Sequence, residues 1–264
     1  MDQKKLIEKE IYNQPHLTEG PKQWGYYWDA GLMLHVENIR RTKMRAWGER
    51  YMTGKKILVL GAGFSDVEFC LQYSDQVTAV DISDLQIERI KEKFPNVQAL
   101  CADITAFAAT QQYDVLYCSS ILHHLTEDFN KVLSSMSSWL SDDGLVFIQA
   151  EPLRLNPMLW IGRKFFPSQY HTPGEMPFIL KGFKRQVAPH FTILQTRCDF
   201  FLTMFYLVST RILRLTNFAW FKKISIPVLT ALTRIDRVLD FSPVNELYWL
   251  FGMVLKKKTV KSAN

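Results

Sequence analysis

The sequence predicts an α/β fold built on a doubly wound, mostly parallel sheet. Three observations predict it. Between Lys55 and Glu151, short apolar runs alternate with amphipathic stretches of helical length. Those runs are apolar throughout rather than at every second residue, as expected of strands covered on both faces. Polar residues collect at their C-terminal ends, the edge where such sheets bind ligands.

The elements follow in order. KILVLGAG (56–63) is a buried strand running into a glycine turn, and SDVEFCLQYS (65–74) a helix. QVTAVD (76–81) is the second strand, and SDLQIERIKEKF (83–94) a helix with Ser83 as its N-cap and Pro95 as its stop. VQALCAD (97–103) and YDVLYCS (113–119) are the third and fourth strands. DFNKVLSSMSSWL (128–140) is a helix, DDG a turn, and LVFIQAE (145–151) the fifth strand. FTILQTRCDF (191–200) and ELYWLFGMVLKKK (246–258) suit a sixth and a seventh strand. Residues 4–50 read as two helices, which sets out four regions: a helical cap (1–50), a core (51–200), an apolar and basic insertion (201–245), and a last strand with a basic tail (246–264).

Bulk properties narrow the function. With 47% hydrophobic and 22% charged residues, the 264-residue chain is a folded protein with one sizeable core. Its N-terminus lacks an apolar signal region, and its four cysteines form no CxxC pair; both point to a reducing cytoplasm with no zinc site and no other metal. The net charge of +6 is unevenly spread: residues 55–150 carry −7 and residues 197–264 carry +7. An acidic core beside a basic flank indicates chemistry in one and contact with something anionic in the other.

Gly61 and Gly63 follow the first strand, Asp81 ends the second, Asp103 the third, Ser119 the fourth and Glu151 the fifth. A glycine turn with an acid about 20 residues on suits a nucleotide-type cofactor whose ribose hydroxyls need a carboxylate acceptor. The dinucleotide pattern GxGxxG requires a small sixth residue, and here that position is Asp66, which would also repel a pyrophosphate. A cofactor without phosphate tolerates it.

At these positions the chain resembles the class I, Rossmann-like methyltransferases that use S-adenosylmethionine, and within them the small-molecule branch. VLGAGFS (59–65) is similar to the glycine motif, TAVDIS (78–83) to the ribose motif and CADIT (101–105) to the adenine motif. YDVLYCSSILHHL (113–125) and LSDDGLVFIQAEP (140–152) resemble the fourth- and fifth-strand segments. The resemblance implies a seven-stranded sheet with an antiparallel last strand. It also implies that Gly61, Ala62 and Gly63 approach the methionine part, that Asp81 and Ile82 hold the ribose, that Asp103 and Ile104 read the adenine, and that Ser119 lies under the cofactor. Val59 and Ser65 depart from the usual residues at the methionine end.

Methyl transfer is an in-line displacement, so the protein must align the acceptor and remove its proton. The candidate bases are His124, Glu151 and His171, with Glu175 able to orient His171; Tyr26, Tyr27, Trp28, His35 and His123 are candidate lining residues. CSSI (118–121) lacks the Asn/Asp-Pro-Pro-aromatic run of enzymes acting on nucleobase amines. The insertion is apolar and aromatic but interrupted by Arg211, Arg214, Lys222, Lys223, Arg234 and Arg237, too often for a transmembrane helix. It suits a membrane interface or a lid over a greasy acceptor, with nucleic acid ranked below lipid. The expectation is therefore a cytoplasmic enzyme, peripheral on a membrane, that methylates a small hydrophobic, lipid-like or glycan-type acceptor at oxygen. The alternatives are an RNA or protein methyltransferase, or a non-catalytic binding protein with the same fold.

Overall fold

A computed structural model describes residues 3–14, 29–165, 175–241 and 243–258. Helix α1 (Gln3–Tyr12) and the long α2 (Ala30–Tyr51) precede the sheet. Asp29 caps α2, its Oδ1 accepting from the N–H groups of Gly31 and Leu32 at 3.1 and 3.2 Å. Then come β1 (Ile57–Leu60), α3 (Phe64–Leu71), β2 (Val77–Asp81), α4 (Asp84–Lys93), β3 (Gln98–Cys101), β4 (Tyr113–Ser119), α5 (Phe129–Trp139) and β5 (Leu140–Pro152). Helices α6 (Pro157–Phe165) and α7 (Leu180–Val187) lead to β6 (Phe191–Asp199). Helices α8 (Leu202–Ile212) and α9 (Ala219–Val238) then intervene before β7 (Leu250–Lys257).

The strands form one sheet in the order β3-β2-β1-β4-β5-β7-β6. All neighbours pair in parallel except those of β7, which runs antiparallel to both β5 and β6. The two faces divide each strand by alternation. Leu58, Leu60, Val80, Leu116, Cys118, Val146 and Ile148 pack with residues of α5 and α7. Ile57, Val59, Ala79, Val115, Tyr117 and Phe147 pack beneath α2, α3 and α4. This two-sided burial is why the strands read as unbroken apolar runs. A third cluster lies where the N-terminal half of α2 meets α6, α8 and α9, against Ala150, Trp249 and Leu250.

Two boundaries differ from the sequence reading. The DDG segment lies within β5 rather than in a turn before it. Leu140 already pairs with Tyr113, and the register shifts before Leu145 meets Val115, so an irregular strand start takes the place of a loop. The last strand starts at Leu250, because Val244–Leu247 forms a 3₁₀ turn whose Glu246 carboxylate caps the N–H groups of Leu180 and Lys181 at 2.8 and 2.7 Å. Between β6 and β7, Asp236 of α9 accepts from the N–H groups of Phe201, Leu202 and Thr203 and so ties α9 to the start of α8. No helix among the described residues is long and apolar enough to cross a membrane.

Candidate active site

Strand register assembles the site. Leu60 is level with both Val80 and Cys118, so the residues that follow them, Gly61, Asp81 and Ser119, share one row at the sheet's C-terminal edge. Gly61 has φ +66°, and an added Cβ there would come within 2.5 Å of the Ile121 side chain, so the turn requires glycine. Ala62 is fully buried, and Gly63 starts α3 in an extended conformation.

The Asp81 Oδ1 accepts from the Ser83 N–H at 2.7 Å. Burial pushes its carboxyl up to about 7; the Ser83 hydrogen bond opposes this and the nearby Asp66 adds to it. Burial likewise pushes Asp66 up to about 6, against hydrogen bonds from Ser119 and Tyr117. Two carboxyls titrating near neutrality thus flank the row, and Ile82 lies half-buried beside them. Ile104 is buried, while the half-buried Asp103 binds Lys5 Nζ at 2.9 Å and takes the N–H and O–H of Thr105, each at 2.9 Å. Burial would raise the Asp103 carboxyl, but Lys5 and Thr105 hold it below the usual carboxylate range.

Helix α1 packs over the ends of β2 and β3. Lys9 pairs with Asp84 at 2.7 Å, Lys5 with Asp103, and Asn13 accepts from the Ser83 hydroxyl at 2.7 Å. Lys5, Glu8 and Tyr12 recur at the spacing that puts them on one face of α1, and that face meets the strand ends. Glu8 lies 3.3 Å from His124 Nδ1, and the Tyr12 hydroxyl 3.4 Å from His124 Nε2. Burial and the adjacent His123 lower the His124 pKa, so its imidazole is neutral near pH 7, and burial raises Tyr12, keeping the phenol protonated.

Glu151 is fully buried and turns toward the 3₁₀ turn Leu122–His124. Its oxygens accept from the N–H groups of Ile121 (2.9 Å), Leu122 (3.0 Å) and His123 (3.2 Å), and it lies 2.9 Å from His123 Nδ1. A carboxylate that gathers these groups fixes that turn, and this is where the structure places the candidate base Glu151. Glu175 sits 3.6 Å from His123 Nε2. His35 lies apart, its Nε2 2.9 Å from Thr230 Oγ1 on α9. His171, Tyr26, Tyr27 and Trp28 lie outside the described residues. The sequence reading missed Lys5, Glu8 and Tyr12; the spacing within α1 was the available signal.

Comparison with known proteins agrees with this geometry. Residues 57–144 match the methyltransferase domain family. That match covers a third of the chain, and the sheet order is the one shared by the Rossmann-like methyltransferase fold. Among individual proteins, (S)-coclaurine N-methyltransferase of Papaver somniferum is 26% identical over 158 residues, covering 54% of this chain and 45% of that protein. The chain spans less than half the length of the curated relatives it matches. The fold is also that of magnesium protoporphyrin IX methyltransferase from Synechocystis PCC 6803, solved with S-adenosylhomocysteine (TM-score 0.57, 12% identity, 96% and 100% of the two chains). It is shared too by the N-methyltransferase NodS from Bradyrhizobium japonicum, also solved with S-adenosylhomocysteine (TM-score 0.55, 11% identity, 98% and 100%).

Proposed function

We propose that the chain transfers a methyl group from S-adenosylmethionine to a small-molecule acceptor at the C-terminal edge of the sheet. The observation that carries this reading is the single row of Gly61, Asp81 and Ser119 beside a glycine turn that admits no side chain. In it, Gly61, Ala62 and Gly63 run beside the methionine part, Asp81 and Ile82 receive the ribose, Asp103 and Ile104 bound the adenine, and Ser119 lies beneath the sulfonium. S-adenosylmethionine supplies the activated methyl group; the chain's own residues orient the acceptor and take its proton. His124 is the base this reading favours: its imidazole is neutral near pH 7, the Tyr12 hydroxyl beside Nε2 can relay a proton to it, and Glu8 beside Nδ1 stabilises the charged form. Glu151 and His123 act as positioning residues for that turn.

The similar proteins include two N-methyltransferases, which favours an amine nitrogen over the oxygen expected from the sequence. Incubation with methyl-labelled cofactor and small apolar amines tests this. Label in the amine supports nitrogen, and label found only in hydroxyl-bearing acceptors overturns it.

The membrane expectation rests on the elbow between α8 and α9. Leu213, Phe218, Trp220 and Ile224 are each more than half exposed there, beside Arg211, Arg214, Lys222 and Lys223. Apolar side chains ringed by cations fit the surface of an anionic bilayer. Flotation with vesicles rich in phosphatidylserine should carry the protein up, and Trp220→Asp with Leu213→Asp should leave it at the bottom; equal flotation of both forms would sink the idea.

A further inference from the structure

A cleft of about 520 Å³ opens between α2, the edge strand β6 and α9. Its walls carry four basic side chains, Arg40, Lys43, Arg197 and Arg237, and three acidic ones, Asp199, Asp236 and Asp240. The acids are already engaged. Asp199 takes Arg197, with Nε at 2.9 Å and Nη2 also on the same oxygen. Asp236 accepts the three N–H groups that begin α8, and Asp240 accepts the Cys198 N–H at 2.9 Å. Arg40 is engaged as well. Its Nε donates to Glu37 at 2.9 Å, and its two terminal nitrogens meet the Gln149 amide oxygen at 3.0 and 3.2 Å in the amide orientation that satisfies both groups.

Lys43 and Arg237 remain. Both line the cleft, Lys43 from α2 and Arg237 from α9, and neither makes an ion pair or hydrogen bond among the described residues. Burial pushes the Lys43 ammonium down, and Arg197 and Arg237 push it the same way against Asp199 and Asp236. Val36, Ile39, Trp47 and Phe200 supply an apolar surface alongside. Two cations without ion-pair partners, lining one cleft of ligand size with an aromatic wall, match a compact molecule that carries an oxyanion on an apolar body.

We infer that this cleft binds the carboxylate or phosphate of a small apolar ligand, with Lys43 and Arg237 holding the oxyanion. The inference stands independently of the methyl-transfer reading. It also gives that site a route of influence, because Arg40 lines the cleft and, through Gln149 and Tyr117, reaches Asp66 beside the cofactor row.

Titration calorimetry on the full chain tests it, with phenyl phosphate and benzoate as probes and benzyl alcohol as the neutral control. Both oxyanions should bind at least about tenfold more tightly than the alcohol, since a charge-assisted pair is at stake. The tighter of the two identifies the oxyanion class. Lys43→Met and Arg237→Met should each weaken that binding about fivefold or more, while unchanged circular dichroism and unchanged S-adenosylhomocysteine affinity show the variants folded. Equal binding of alcohol and oxyanions, or full oxyanion affinity in the double variant, would overturn the inference. Loss of S-adenosylhomocysteine binding in the native chain would count against the methyltransferase reading and leave this one intact.

Discussion

Asp81→Ala lowers the affinity for S-adenosylhomocysteine about 100-fold, measured by titration calorimetry at pH 8. In the proposed site the ribose diol would donate two hydrogen bonds to this one carboxylate, and loss of charged acceptors of this kind costs about 3 kcal/mol. The pH dependence follows from the same group. Burial holds Asp81 near 7 against an ordinary 3.8, so in the cofactor-free protein it is protonated below neutrality. A folded-state value raised in this way adds stability at low pH, and that stability is lost as pH rises from about 4 to about 7. Ligand binding runs the other way, because the diol selects the ionised carboxylate. Affinity should therefore climb about tenfold per pH unit up to about 7 and then level off. Asp66, held near 6, titrates with Asp81 as a pair and steepens the acid side. Asp81→Asn should flatten the profile, and an unaltered profile in that variant would place the titrating group elsewhere.

Glu151→Ala destabilises the fold by about 3–5 kcal/mol, because it strands three backbone N–H groups and the His123 ring in a buried setting. For a chain of this size that is a fall in Tm of about 10 °C. Glu151→Gln keeps one acceptor, the amide oxygen, and sets a donor NH2 in place of the other oxygen, so it should lose roughly half as much. A general base with no structural duty would give the opposite pattern: both variants folded and stable, with only turnover lost. Calorimetric melting of the three forms separates the two.

The parts of the fold that were legible in the sequence are those with local causes. Unbroken apolar runs mark strands buried on both faces, and Ser83 caps α4 through its hydroxyl to the Gln86 N–H at 3.2 Å, as its position before DLQIERIK indicates. The strand-end row was legible for the same reason, since parallel strands of similar length end at one level. What escaped depends on contacts distant in sequence. Lys5 meets Asp103 across nearly a hundred residues, and nothing in the first dozen residues announces that partner. The role of Glu151 needs β5 and the 121–124 turn to be neighbours, a fact of sheet order. The DDG segment reads as a turn because its residue types favour one, yet pairing of Leu140 with Tyr113 draws it into β5. The cleft of Lys43 and Arg237 forms only when the insertion between β6 and β7 folds back onto α2.

The row of Gly61, Asp81 and Ser119 is the place proposed here for S-adenosylmethionine. The most direct test is a calorimetric titration of the intact chain with S-adenosylhomocysteine at pH 8, with Asp81→Ala beside it. The native chain should bind one equivalent, and the variant should bind almost none. Absence of binding by the native chain, or equal binding by both, would contradict it.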